Sequence, residues 1–134
     1  MISLNKTKGF TLLEVLIVLV ILAVLAGLAV PAYTSAVEKS RKGEALQTLA
    51  VVRSSQQRYF AGRNEYASAF AGLDYDPTLA STGNTPHFSY ALSGGGAGST
   101  TYSCIATRLA LERPSGVPAY TVTVTQDGTI TSTY

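Results

Sequence analysis

Apolar and polar positions divide the chain into three regimes. From Val15 to Val37 no residue is charged, and apolar side chains fall on every side of a helix drawn through this run, leaving no water-facing stripe. At roughly 1.5 Å per residue the run covers about 35 Å, enough to cross a hydrocarbon core of about 30 Å. The pattern then changes: Glu38, Lys39, Arg41, Lys42 and Glu44 mark a return to water, while Ala45, Leu49, Val52, Gln56 and Tyr59/Phe60 recur at helical spacing. That stripe is expected to grip a sheet. Ala61-Gly62-Arg63-Asn64 offers Gly62 as the stop, so one helix from Phe10 to Ala61 is predicted, about 78 Å long.

The last third alternates with period two. His87 to Leu92, Thr101 to Leu109 and Tyr120 to Thr125 read as strands, and Asp127-Gly128 supplies the turn that returns Ile130 to Tyr134 antiparallel. Phe88/Tyr90/Leu92 and Tyr120/Val122/Val124 are the expected core faces; in the middle strand the pattern allows either Cys104/Ala106 or Ile105/Thr107 to point inward. Residues 62 to 86, with Gly62, Gly72, Pro77, Gly83 and Pro86, read as a connecting loop with one helical turn at Tyr66 to Leu73. Ser93-Gly94-Gly95-Gly96-Ala97-Gly98-Ser99 is nearly free of side chains and reads as a flexible exposed loop; it lacks the GK[ST] ending and following helix of a phosphate cradle. The fold class is α+β, a long N-terminal helix with a transmembrane half and an amphipathic half packed on a small antiparallel sheet.

Two features are more than a plain anchor requires. Residues 1 to 9 form a short basic leader with Lys6 and Lys8, and such charge is held on the cytoplasmic side. Glu14 is a carboxylate at the start of the apolar run; such a group costs on the order of 2 to 3 kcal/mol at mid-membrane, less near an interface, and calls for a partner. A cut after Gly9 would give Phe10 a new α-amine four residues before Glu14, and that amine, from the same or a neighbouring subunit, can neutralise the acid. Farther along, Pro31 removes the hydrogen bond to the Gly27 carbonyl, so Gly27 and Pro31 together mark a weak point where the helix is expected to kink or unwind.

Gly9-Phe10-Thr11-Leu12-Leu13-Glu14-Val15, the unbroken apolar run and Pro31 closely resemble the class III signal of type IV pilins. The resemblance implies that a prepilin peptidase cuts between Gly9 and Phe10 and methylates the Phe10 amine. It implies that Glu14 supports methylation and sets register in a growing filament, and that the region of Pro31 melts on assembly. The implied organisation is a removed leader (1–9), a transmembrane and filament-core helix (10–37), an amphipathic half-helix (38–61) and a globular head (62–134). The implied role is a structural subunit of a pilus for adhesion, twitching motility or DNA uptake, most like a major subunit on length and lack of insertions. Its partners would be copies of itself, the peptidase, an inner-membrane assembly machinery and the membrane. It would lie in the inner membrane as a single-pass protein with a cytoplasmic N-terminus, then on the cell surface in the pilus. A pseudopilin of a type II secretion system, a minor pilin and a membrane-anchored binding domain are the alternatives. The major pseudopilin typically has a calcium-binding loop near its C-terminus, where this chain has a Thr-rich hairpin with Asp127 as the nearby acid.

Charge and composition narrow the function. Ten Lys+Arg face eight Asp+Glu; removing Lys6 and Lys8 with the leader leaves eight against eight, so no direct nucleic-acid binding is expected. One cysteine, Cys104, excludes an intramolecular disulfide and reads as a buried apolar residue. With His87 the sole histidine, no metal site, cofactor or catalytic set assembles, and an enzyme is not expected. Asp74 and Asp76 are too few acids for a calcium site. Lys39, Arg41 and Lys42 offer a phosphate-binding cluster as one reading; a solvated face near lipid headgroups is preferred, because Glu38 and Glu44 are interleaved with them, with pairing between neighbouring subunits as a second structural use. Tyr102, Tyr120 and Tyr134 are expected half-buried in strands.

Overall fold

The computed structural model describes residues 9–78, 87–110 and 113–133. The leader through Lys8, Gly83 and Pro86 of the connection, Leu111 and Glu112, and Tyr134 lie outside the described residues. Helix α1 is Leu12–Arg63, two residues later at each end than the pattern suggested. Its start is set by Thr11, whose hydroxyl accepts from the Glu14 N–H at 3.2 Å, an N-cap bond to one of the donors a first turn leaves open. Its end is set by Asn64, not Gly62: Asn64 is left-handed (φ 57) and its N–H reaches the Phe60 carbonyl at 2.7 Å. Asparagine tolerates this conformation, so the helix runs through Gly62 to the next residue able to stop it. It is also continuous through Gly27 and Pro31, with no unwinding in the single subunit.

The chain falls into two compact units, Met1–Val37 and Glu38–Tyr134. In the first, the apolar side chains from Leu12 to Val30 are exposed. Among the described residues α1 is the one helix long and apolar enough to cross a membrane by length and composition.

The second unit holds the core. Its sheet runs β1-β2-β3-β4 in chain order, with β1 Phe88–Gly94, β2 Tyr102–Arg108, β3 Thr121–Thr125 and β4 Ile130–Ser132, every neighbour antiparallel. Leu92 lies opposite Cys104 and Cys104 opposite Val124, while Tyr90, Ala106 and Val122 make the next row. These rows face Ala45, Leu49 and Val52 of α1 in one buried cluster, with Tyr90 and Leu92 at its margin. The undecided middle strand therefore turns Cys104 and Ala106 inward, together with Tyr102 and Arg108. Tyr102 and Tyr120 are buried outright rather than half-buried. Each large apolar side chain taken out of water here contributes about 1.5–3 kcal/mol, which makes the helix stripe the main attachment of α1 to the sheet.

The opposite face of the sheet has another character. Ser89, Thr107 and Thr121 form one row across it, Ala91, Ile105, Thr123 and Thr131 a second, and Ser93, Ser103 and Thr125 a third. No charged side chain stands among them. The β3–β4 hairpin closes with the Thr125 N–H on the Thr129 carbonyl at 3.1 Å and Gly128 left-handed at φ 88, a three-residue hairpin loop whose glycine supplies the conformation other residues resist.

Burial pushes the Cys104 thiol up from 9.0 to about 12. Thiolate is the reacting species, so alkylation of the folded protein at mildly alkaline pH is expected to run about a thousandfold slower than that of the denatured chain. Labelling with iodoacetamide, with and without urea, measures this; equal rates would place Cys104 outside the core.

Candidate functional site

At the start of the chain, Gly9 and Phe10 precede the helix and Glu14 occupies its first turn. Thr11-Leu12-Leu13-Glu14 has the Thr-x-x-Glu form of a capping box, with its Thr11 half in place. The capping role of Thr11 was legible in that spacing but not assigned from sequence. A carboxylate in the first turn also faces the positive end of the helix dipole. Phe10 and Glu14 meet in one shallow apolar groove with Val15, Val18 and Leu19, so the residues of the motif share one surface. Gly27 has open space where a side chain would begin, and the Thr34 hydroxyl donates to the Pro31 carbonyl at 2.9 Å.

In the head, an ionic cluster occupies the place where the sequence suggested solvent. Glu38 and Arg108 are each 2% exposed. Arg108 grips Glu38 with both prongs, Nε to Oε2 and Nη2 to Oε1, each at 3.1 Å. Arg41 donates to Oε1 at 3.1 Å and the Tyr120 hydroxyl to Oε2 at 3.2 Å, while Arg108 Nη1 reaches the His87 carbonyl at 2.9 Å. The Arg108 guanidinium also lies 5.7 Å from the centre of the Phe88 ring. Held first by the Arg108 hydrogen bonds, the Glu38 carboxyl titrates below its ordinary 4.5 although burial opposes this. The reading of Glu38 as a surface acid is thus corrected. Two signals were available: Glu38 stands seven residues before Ala45 on the helical stripe, and Arg108 continues the alternation of Tyr102, Cys104 and Ala106.

A second polar device orders the loops at the far end of the head. Gln56, fully buried, donates Nε2 to the Ala67 carbonyl at 3.0 Å and accepts the Ala67 N–H at 2.9 Å. The glycine loop docks on that same segment: Gly96 N–H to the Tyr66 carbonyl at 2.8 Å, Tyr66 N–H to the Ser99 carbonyl at 3.0 Å, and Gly98 N–H to Glu65 Oε2 at 3.0 Å. The loop expected to be flexible is therefore tied by backbone bonds, and the side-chain pattern carries no sign of those. Phe70–Gly72 forms a single 3-10 turn within the predicted Tyr66–Leu73 stretch.

Three further acids are engaged singly. Asp74 pairs with Arg58 at 2.7 Å, and Asp76 accepts from the Thr78 N–H and hydroxyl. Asp127 takes bonds from the Thr125 hydroxyl and from the Thr129 hydroxyl and N–H, which hold its carboxyl down at about 2. Among the described residues no group of three or more His, Cys, Asp or Glu could hold a metal.

Comparison with known families covers nearly the whole chain. A model described as the prokaryotic N-terminal methylation motif matches residues 4–30, and one described as "Type IV minor pilin ComP, DNA uptake sequence receptor" matches residues 31–133. No curated protein matches the chain. The second match corrects the leaning toward a major subunit, which rested on length and the lack of insertions, properties that a minor pilin of one small head shares. With a motif match over the first helix and a head match over more than half of the chain, the protein belongs to the type IV pilin family, as a minor pilin of the ComP type.

Proposed function

We propose that this chain is a minor subunit of a type IV pilus that serves DNA uptake, and that its head takes part in recognising the DNA. The observation that carries this reading is the match of residues 31–133 to a family described as a DNA uptake sequence receptor. The subunit is cut between Gly9 and Phe10 by a prepilin peptidase, methylated on the new amine and stored in the inner membrane with its N-terminus cytoplasmic. An assembly machinery that this chain does not contain then draws it into a filament with other pilins. Supporting this, the exposed apolar residues of α1 require either lipid or neighbouring helices as cover, and Glu14 beside Phe10 offers the acid that an incoming amine would meet. Its role is structural and recognitive, not enzymatic.

The formal charge balance argued against nucleic acid, and this reading sets that expectation aside because formal charge is not surface charge. Glu38 is buried against Arg108 and Arg41, and Asp74 is paired with Arg58, so these acids offset particular cations and not the head's surface at large. Arg53 and Arg63 have no carboxylate partner among the described residues; Arg63 lies 4.6 Å from the centre of the Tyr59 ring, and Arg53 keeps a buried Nε without a hydrogen bond. Cations of this kind answer a phosphate backbone.

In cells whose own copy is removed, Glu14→Leu is expected to leave the chain in membranes, absent from sheared fibres, with DNA uptake at the level of cells lacking the chain. Fibres that still contain the Glu14→Leu chain would overturn the assembly role. For recognition, the native chain in detergent micelles should bind a duplex carrying the uptake sequence more tightly than a scrambled duplex at equal salt; equal affinity would overturn it.

A further inference from the structure

We propose that Lys39 and Lys42 form a docking site for the phosphate of an anionic phospholipid, holding the first turns of the head on the membrane surface before the subunit is withdrawn. The inference rests on residues 15–37 being a membrane span and is independent of DNA uptake.

Burial of Glu38 leaves its neighbouring lysines unbalanced. In sequence, Glu38 stands among the cations and would offset them; in the structure both of its oxygens are occupied by Arg108, Arg41 and Tyr120. Arg41 is engaged in the same cluster. What remains on the surface is Lys39, exposed, and Lys42, half-exposed, neither with a carboxylate partner among the described residues. Glu44, the next acid, stands two residues past Lys42, about 200° around the helix and so on its other side. The two lysines are three residues apart on α1, a spacing that brings both ammonium groups to one face.

Position along the helix points to the ligand. Lys39 and Lys42 line a shallow, mostly apolar pocket with Tyr120 and Glu38, and the Glu38 carboxylate is already balanced by Arg108 and Arg41. Along the helix, Lys39 and Lys42 come two and five residues after Val37, the last of the charge-free run, or about 3 and 7.5 Å at the usual rise. A headgroup layer is about 5–8 Å deep on each side of the hydrocarbon. The pair therefore falls within the layer of lipid phosphates, whereas a DNA duplex in solution would have to displace that layer to reach it. Lysine suits such a site, being a flexible point charge that does not demand the fixed two-pronged geometry of arginine.

Each lysine near an anionic surface is worth about a five-fold preference. The full chain is reconstituted in vesicles of equal phosphatidylglycerol and phosphatidylcholine, extracted in mild detergent, and the retained lipids are quantified. Lys39→Gln with Lys42→Gln is expected to lower the phosphatidylglycerol preference by at least about five-fold, while Lys39→Arg with Lys42→Arg keeps it. Leader lysines Lys6 and Lys8 are common to all variants, so the difference reads the pair. Beyond the leader these are the only lysines of the sequence, so acylation followed by mass spectrometry reports on them directly. They should be acylated more slowly in vesicles containing phosphatidylglycerol than in phosphatidylcholine alone. An unchanged preference in the double glutamine variant overturns the proposal. So does protection of the lysines by duplex DNA in phosphatidylcholine vesicles without any protection by phosphatidylglycerol, which would assign the pair to nucleic acid.

Discussion

Glu38→Leu is expected to destabilise the head by about 3–5 kcal/mol, because it strands the Arg108 guanidinium, itself 2% exposed, without its counter-charge. Glu38→Leu combined with Arg108→Met should recover most of that loss, since a buried pair replaced by apolar groups of similar volume is often neutral. Urea unfolding of the full chain in detergent micelles, followed by tyrosine fluorescence, gives both numbers. A double variant no more stable than the single one would mean that the cluster matters through Tyr120 and His87 rather than through its charges. The same pair sets an acid limit. The Glu38 carboxyl is held below its ordinary 4.5, so its contribution is complete above that value and is lost as pH falls through the lower folded value. The double variant should lack this part of the acid slope.

Gly95→Ala is the second large effect, about 2–4 kcal/mol. Gly95 has φ +78, and a methyl there would sit 2.4 Å from the Ala67 carbonyl oxygen and 2.7 Å from its carbon. Ala67 cannot retreat without breaking its two bonds to Gln56, so strain in the loop passes directly to a buried side chain of α1. Gly98→Ala is the internal control: φ is +72, but nothing lies within 4 Å, and the left-handed backbone alone costs about 1–2 kcal/mol. If both variants unfold at the same urea concentration, the close approach at Gly95 is not rigid.

The contrast between these two devices explains what the sequence could and could not tell. The helix, the four strands and the hairpin followed from period and turn chemistry, both local. The N-terminal methylation motif was legible for the same reason: Gly9, Phe10 and Glu14 are within six positions of one another. Glu38 was misread because a charge just past an apolar run looks like the start of water, and its partner lies 70 positions away. The glycine loop was misread because its order comes from backbone groups, which every sequence has. The inward face of β2 stayed open because Cys104/Ala106 and Ile105/Thr107 are both small or apolar; the burial of Tyr102 and Arg108 at the strand ends decides it. Minor rather than major status was not legible in length, since it concerns where a subunit stands in a fibre rather than how it folds.

The rows of Ser89, Thr107 and Thr121, of Ala91, Ile105, Thr123 and Thr131, and of Ser93, Ser103 and Thr125 divide the head's surface by its response to ionic strength. An uncharged hydroxyl face has no condensed ions to release and no field to screen, so contacts made there keep their strength from dilute medium to seawater. Contacts made through Lys39, Lys42, Arg53 or Arg63 weaken over the same range, because a Debye length of about 10 Å at 0.1 M shrinks to about 3 Å at 1 M. Salinity is thus a variable by which this small head can hold one class of neighbour while letting go of another.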